Sequence, residues 1–301
     1  MSVLAGLDAI FDRHLGVEDI GASSPHHRHV ESALRLSAGR PIRFQALQLL
    51  QDAYTRLLLN LEGSPRFSSS GASKENWRFE RRLGYAPENS SPEVTLEREI
   101  VRVMGEDWAN QVPAASGLWN GAADKRRAVD LVVRVGEQCF ELIELKVESD
   151  TPLRAAVEIL QYGLLYALAR DRYPETQHAG KDLLRATDVH LRVLAPLNYY
   201  APYALAWLEH DLDVGLRGFA LERFGIPLLS SFSFHEFPDD FSWPCSDDVL
   251  REHVRQRRRI WLAQPPAQIL DQRDGALPQP GPPQTIRESR AWSEEHDEFR
   301  T

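Results

Sequence analysis

Cysteine is scarce in this chain, which has two among its 301 residues. Two cysteines cannot build a disulfide framework, so a reducing cytoplasmic environment is expected rather than secretion. Long apolar runs are lacking as well, since none approaches the roughly 18 residues needed to cross a bilayer. Residues 1–16 show neither the basic start nor the cleavage site of a secretory signal. We therefore expect a cytoplasmic protein with no membrane partner.

Net positive charge is also lacking, because the formal net charge is −9 at pH 7. This balance excludes a surface that coats nucleic acid non-specifically over its whole area. A local basic groove is still compatible with it, since exposed charges more than about 10 Å apart are screened. A predicted helix after Ser246 is either a phosphate-contacting element or a solvated surface helix, and both interpretations stay open. It carries Arg251, Arg255, Arg257, Arg258 and Arg259.

The chain does contain a pair of alternating segments, 128–135 and 139–147, separated by a short turn. Side chains of a strand alternate between its two faces, so each segment predicts a strand with one apolar face. Asp130 lies on one face of the first strand. Glu144 and Lys146 share one face of the second strand. These three are the charges of the hairpin that the pattern predicts to be buried.

The register of the hairpin decides whether these charges meet. A three-residue loop at 136–138 places Val135 opposite Cys139 and Asp130 opposite Glu144. A two-residue loop shifts the pairing by one and moves the two acids to opposite faces. The first register sets apolar residues of one strand beside apolar residues of the other, so we favour it.

Two carboxylates at this spacing repel each other unless a cation lies between them. Mg²⁺ is the natural occupant, because it takes one or two protein carboxylates, keeps several waters and accepts phosphate oxygens. A lysine on the same face could orient a water or stabilise charge that develops on phosphorus. The cluster therefore indicates metal-assisted hydrolysis of phosphodiesters.

The combination of Asp130 with Glu144-Leu145-Lys146 after a hairpin resembles the PD-(D/E)XK nuclease superfamily. The resemblance covers residues 93–200, about a third of the chain. It implies that Asp130 and Glu144 bind the metal and that Leu145 lends a main-chain carbonyl. It further implies that Lys146 serves the attacking water, with Mg²⁺ as the cofactor and Mn²⁺ as a substitute.

Two further residues take roles from this resemblance. Glu97, on the helix before the hairpin, would supply an additional metal ligand, and Gln161, on the helix after it, would orient metal or substrate. Val129 stands where the motif has proline. The tyrosine that one exonuclease branch places four residues after the glutamine is Tyr166, one position late. Two cysteines are too few for the four-cysteine iron–sulfur subgroup.

The flanking sequence predicts the order αβββαβ. Ser91-Pro92 starts a helix, residues 108–118 form the first strand, the hairpin follows, Thr151-Pro152 starts a second helix, and residues 189–197 form the last strand. The expected fold class is α/β, a restriction-endonuclease-like αβββαβ core in which helices flank a mixed central sheet. Short apolar pieces within 212–234, separated by glycines, are read as further strands of that sheet.

Three regions are predicted along the chain. Residues 1–90 form a helical N-terminal extension packed on the core, and 91–263 form the nuclease-like core with its C-terminal helix. Residues 264–301 form a Pro-rich, polar, disordered tail. Within the extension, the run 26–29 (HHRH) matches no standard metal site and is interpreted as a surface loop.

The sequence thus predicts a Mg²⁺-dependent nuclease that acts on DNA. Two alternatives are a catalytically inactive nuclease-fold module for nucleic-acid binding or assembly, and a nuclease directed at RNA, which would prefer a 2′-hydroxyl. A purely structural hairpin with solvated charges is the remaining explanation. The oligomeric state is open, with a homodimer as one option.

Overall fold

A mixed β-sheet with helices on both faces organises the described part of the chain. The computed structural model describes residues 2–63, 75–84, 91–115, 127–172 and 180–260. The predicted tail at 264–301 lies outside these ranges. No helix within them combines the length and the apolar character that a membrane crossing requires.

Helices precede the sheet and then alternate with its strands. The helices are α1 (Leu7–Leu15), α2 (Val30–Ala38), α3 (Ala46–Glu62), α4 (Pro92–Met104), α5 (Pro152–Arg172), α6 (Leu197–Tyr200), α7 (Ala206–Phe224) and α8 (Asp247–Arg255), with 3-10 turns at His26–Arg28 and Asp182–Arg185. The strands are β1 (Trp108–Pro113), β2 (Ala128–Gly136), β3 (Cys139–Leu145), β4 (Asp188–Ala195), β5 (Leu229–Glu236) and β6 (Arg258–Arg259).

The six strands lie in the order β1-β2-β3-β4-β5-β6. β1, β2 and β3 pair antiparallel, β4 and β5 continue parallel to β3, and β6 returns antiparallel to β5. A parallel pair needs a crossover connection, and α5 supplies it between β3 and β4. The α/β class and the mixed sheet flanked by helices are confirmed. That the core is restriction-endonuclease-like stays a prediction.

The hairpin register places the two acids opposite each other, as predicted. Leu131 pairs with Ile143 and Val132 with Leu142. Continuing this register by one residue sets Asp130 across from Glu144. The alternation of apolar side chains was therefore sufficient to fix the pairing.

The turn that achieves this register differs from the expected one. Gly136 pairs with Cys139, so the loop has two residues rather than three, and Val135 does not lie opposite Cys139. A β-bulge between Arg134 and Gly136 absorbs one residue and returns the pairing to the predicted register. A bulge opposes two residues to one, which a count of loop length alone cannot reveal.

Helix α5 is a central, almost entirely buried helix. The Thr151 hydroxyl caps it by accepting the Arg154 backbone N–H at 3.2 Å, and Pro152 takes the first position, where no N–H is needed. Gly163 lets the helix approach β4, since a Cβ there would lie 2.5 Å from Leu191 Cδ1. The N-terminal helices pack against α5 as well, with Tyr54 of α3 donating a hydrogen bond to Asp171.

Two apolar clusters lie on opposite faces of the sheet. Helices α4 and α8 cover one face, where Leu96 and Leu250 meet Ile143. Helices α3, α5 and α7 cover the other face, which includes Val132 and Leu142. Because side chains alternate along a strand, residue 144 of β3 shares the face of residue 142 and points toward α5.

The segment read as further strands is mostly a helix. Residues Ala206–Phe224 form α7, and only β5 is a strand in that part of the chain. Gly215 does not break the structure but lets α7 touch α3, because a Cβ there would lie 2.6 Å from Ala46 Cβ. A glycine selected for close helix contact was mistaken for a turn signal.

Candidate active site

Asp130, Glu144 and Lys146 converge on the face of the sheet that α5 covers. The Leu145 backbone N–H donates to Asp130 Oδ2 at 3.0 Å, which ties the start of β2 to the end of β3. Lys146 Nζ lies 2.8 Å from Glu144 Oε1. The three charges singled out from the hairpin pattern are therefore brought together. Glu144 and Lys146 are buried, with 3% and 8% of their surface exposed.

Helix α5 adds a third carboxylate that sequence reasoning missed. Glu158 Oε2 lies 3.3 Å from Lys146 Nζ, and Glu158 Oε1 accepts a hydrogen bond from Arg154 Nη2 at 2.9 Å. A signal was present, because Arg154 and Glu158 are the charged residues of the otherwise uncharged stretch 153–169 and stand four apart. That spacing places them on one side of a helix, where they pair.

The environment perturbs the protonation of every member of this cluster. Burial, followed by the charge of Asp130, raises the pKa of Glu144 well above its usual range. Burial also raises the pKa of Asp130, to about 6, although Lys146 opposes the effect. Burial acts in the same direction on Glu158, but the cations Lys146 and Arg154 outweigh it and lower the pKa of that carboxyl. Three carboxyl groups, those of Asp130, Glu144 and Glu158, therefore lie beside two cations, Lys146 and Arg154.

Lys146 is held as an ammonium. Burial alone would lower the pKa of its amine, but the charges of Glu144, Glu158 and Asp130 outweigh burial and raise that pKa. Perturbed titratable groups of this kind concentrate at functional sites, although structural ion pairs produce them too.

One oxygen of Glu144 lacks a donor. Glu144 Oε2 is buried and has no hydrogen-bond partner within the described residues. Asp130 lies across the hairpin from Glu144, and two ionised carboxylates at this spacing repel each other. The pair thus requires a shared proton or a cation. A divalent ion with oxygen ligands fits this donor set, since Mg²⁺ takes one or two protein carboxylates.

Glu97 lies near the cluster but is already engaged. It is 2% exposed, and its two oxygens accept hydrogen bonds from Asn110 Nδ2 at 2.7 Å and Gln111 Nε2 at 2.6 Å. Burial, and then the charge of Asp130, raise the pKa of Glu97 to about 8. Its role as an additional metal ligand stays a prediction.

Gln161 is buried and contacts the N-terminal extension. Its Nε2 donates to Asp8 Oδ1 of α1 at 3.1 Å, so the orientation of metal or substrate by Gln161 stays a prediction. Asp8 also lies 3.7 Å from the ring of His27. The interpretation of residues 26–29 as a surface loop is wrong for His27, which is fully buried and bonded to Asp12 at 2.7 Å.

Two tyrosines line the cluster. Tyr162 of α5 and Tyr199 of α6 are 7% and 8% exposed. Burial raises both pKa values, and the charges of Glu144 and Glu158 add to the effect. Their rings keep bulk water away from part of the charged cluster, which strengthens its electrostatic interactions.

The predicted helix after Ser246 ends at Arg255, so of the five arginines only Arg251 and Arg255 lie on α8, while Arg258–Arg259 form β6. Most of these arginines are paired with carboxylates. Arg257 pairs with Glu141 and Arg258 with Glu236, at 2.8 and 2.7 Å. Arg251 likewise pairs with Asp248, and Arg259 pairs with Glu209. These pairs favour the solvated-helix interpretation over the phosphate-contacting one, because a cation already matched by a carboxylate attracts phosphate less strongly.

A second group of potential metal ligands lies at the start of β3 and β4. Among the described residues, Cys139, Asp188 and His190 are the three whose ligand atoms all lie within 4.8 Å of one another. Sequence reasoning did not connect them, because Cys139 is far from the other two along the chain. Their proximity follows from the parallel pairing of the two strands, in which Cys139 stands opposite Asp188.

Fold and site together define an α/β protein with an acidic cluster built around a lysine at the C-terminal end of β3, an inner strand of a mixed sheet. In comparisons with known proteins, no family model, no curated protein and no solved structure matches the chain.

Proposed function

We propose that this chain is a metal-dependent nuclease that hydrolyses phosphodiester bonds in DNA, with Mg²⁺ as cofactor and Mn²⁺ as a substitute. The observation that carries the proposal is the convergence of Asp130, Glu144 and Lys146, together with the Glu144 oxygen that has no donor in the described structure. Asp130 and Glu144 would hold the metal. The bound ion would lower the pKa of a water and neutralise charge on the phosphate.

The main-chain carbonyl of Leu145 would join these two carboxylates as a ligand. In a strand, the N–H and the C=O of one residue point toward the same neighbouring strand. Because the Leu145 N–H donates to Asp130, the Leu145 carbonyl is directed to the side where Asp130 lies. This supports its assignment as a third oxygen ligand.

Lys146 would act as a charged donor rather than as a base. The raised pKa keeps its amine protonated through neutral pH, so it cannot remove a proton from water. An ammonium can orient an attacking water and stabilise negative charge as it develops on phosphate oxygens. Arg154 offers a second donor, because its buried Nη1 has no partner among the residues described. A guanidinium suits phosphate recognition.

An inactive nuclease-fold module for nucleic-acid binding or assembly is the rival reading, and one contact favours it. Lys146 already lies between Glu144 and Glu158, and such a pair could be purely structural. Substrate would have to draw the ammonium away from one carboxylate. The two readings differ in whether products form, and an RNA-directed enzyme differs in which polymer is cut. For either reading we place the protein in the cytoplasm, with nucleic acid as its partner.

The test is incubation of the full chain with linear and circular DNA, and with RNA, in Mg²⁺, Mn²⁺ or chelator. Cleavage of DNA that requires the metal and is lost in Asp130→Asn and Glu144→Gln supports the proposal. Glu148→Gln is the matched control, since Glu148 is exposed near the same strand end and should retain activity. DNA binding without products in any metal would replace the proposal with the inactive module.

A further inference from the structure

The Cys139, Asp188 and His190 side chains meet on the other face of the sheet from Glu144. Cys139 Sγ lies 3.4 Å from His190 Nε2, and that same nitrogen lies 3.6 Å from Asp188 Oδ1. Residues 139 and 144 of β3 are five apart, roughly 16 Å along a strand, and an odd separation sets them on opposite faces. This group is therefore separate from the acidic cluster.

The distances suit a tetrahedral ion. With Zn–S of about 2.3 Å and Zn–N of about 2.0 Å, neighbouring ligand atoms of a tetrahedral site stand roughly 3.5 Å apart. The contacts of His190 Nε2 with sulfur and oxygen, 3.4 and 3.6 Å, lie on either side of that value. Two of the three separations are thus those of a zinc site, and all three ligand atoms lie within 4.8 Å of one another.

The surrounding groups orient the ligands. His190 Nδ1 lies 2.8 Å from Ser231 Oγ, which leaves Nε2 to face the cysteine and the aspartate. A hydrogen bond on the second ring nitrogen is the usual support of a metal-bound histidine. Ser230 likewise donates to Asp188 Oδ1. The nearby guanidinium of Arg192 lies 3.3 Å from Glu141, a carboxylate that also pairs with Arg257.

We infer that Cys139, Asp188 and His190 form a zinc site with one coordination position open to solvent. The His190 and Asp188 side chains are 22% and 42% exposed, which gives the ion access and leaves room for a bound water. A thiolate and an imidazole prefer Zn²⁺, whereas the all-oxygen acidic cluster suits Mg²⁺. The two sites would therefore select different metals in the same chain.

Titration of the chelator-treated full chain with Co²⁺ under reducing conditions tests the inference. One equivalent is expected to give a thiolate-to-cobalt charge-transfer band, and Zn²⁺ is expected to remove it by displacing cobalt. Cys139→Ser should abolish the band. Cys245→Ser, which removes the other free cysteine, should leave it unchanged. Asp130→Asn should also leave it unchanged, so that failure of this site and failure of the proposed nuclease are distinguishable.

Two milder variants keep the test decisive if Cys139→Ser fails to fold. Ser231→Ala removes the hydroxyl that supports His190, together with its hydrogen bond from Arg192, and should weaken cobalt binding by about tenfold. Asp188→Asn changes a partly exposed ligand and should weaken it as well. The absence of a charge-transfer band in the folded wild type, or unchanged affinity in both of these variants, would overturn the inference.

Discussion

The ammonium group of Lys146 lies between the buried carboxylate of Glu144, at 2.8 Å, and the partly buried carboxylate of Glu158, at 3.3 Å. Removing it leaves their charge buried with less compensation. We predict that Lys146→Met lowers the unfolding free energy at pH 7 by about 3–5 kcal/mol, as measured by urea denaturation in chelator. Adding Glu144→Gln to this variant should recover part of the loss, because the charge left behind is removed too. Equal stability of wild type and Lys146→Met would contradict the pairing.

The raised pKa of Glu97 leads to a prediction for how the unfolding free energy depends on pH. The folded protein keeps this proton up to a pH of about 8, whereas the unfolded chain releases it near about 4.3. Between these values the unfolded state binds fewer protons, so the group makes the unfolding free energy fall as pH rises. Glu97→Gln cannot ionise and should show a shallower decline, by up to about 1.4 kcal/mol per pH unit.

Urea midpoints measured between about pH 5 and pH 8 test this. Glu99→Gln, on the same helix but partly exposed, is the control and should follow the wild type. Parallel declines in wild type and Glu97→Gln would show that Glu97 does not carry the effect.

At the same scale, the sequence predicted those site residues whose position depends on strand alternation. Asp130, Glu144 and Lys146 were found because the side chains of a strand alternate between its two faces, with a period of two residues. Glu158 was missed because its approach to Lys146 depends on how α5 lies across the sheet, a tertiary relation that helix periodicity does not contain.

Among elements, the contact between α3 and α7 offers a matched pair of glycines one turn apart. A Cβ at Gly215 would lie 2.6 Å from Ala46 Cβ and 2.8 Å from the Leu47 backbone nitrogen. At Gly218 a Cβ would meet only the ends of the Leu47 side chain, at 3.6 and 3.7 Å. We predict that Gly215→Ala destabilises the protein by about 1–3 kcal/mol through overpacking.

Gly218→Ala should instead be neutral or stabilise by up to about 1 kcal/mol, since alanine favours the helix more than glycine does. Thermal melts of the two variants provide the comparison. A reversed order would mean that α7 does not approach α3 as closely as described.

The same pair of helices shows where sequence reasoning at the element scale was limited. Glycines in the stretch 212–234 led to an assignment of strands, although most of it is helical. The β-bulge in the hairpin was equally hidden. Both features depend on what lies opposite a residue, whereas α4, α5 and β4 were recognised from caps and apolar periodicity that are local to the chain.

For the whole molecule, ion binding and folding should be linked. A ligand held at one hundred times its dissociation constant stabilises the folded state by about 2.7 kcal/mol. Protons compete with the ion because burial raises the pKa values of Asp130, to about 6, and of Glu144. We predict that Mg²⁺ raises the melting temperature more at pH 8 than at pH 6.

Glu144→Gln separates this effect from general ionic strength. The variant cannot ionise at this position, so the shift caused by Mg²⁺ should disappear when each protein is compared with its own melting temperature in chelator. A shift of the same size in wild type and variant would place the ion elsewhere.

Helix α5 lies between α1, α3 and the sheet, and almost every residue of it is shielded from solvent. During translation the N-terminal helices emerge first. β4 emerges after α5, so α5 is synthesised before one of the strands against which it packs. Asp130, Glu144, Lys146 and Glu158 all precede residue 188, so a nascent chain that ends there carries the residues of the acidic cluster but lacks this strand.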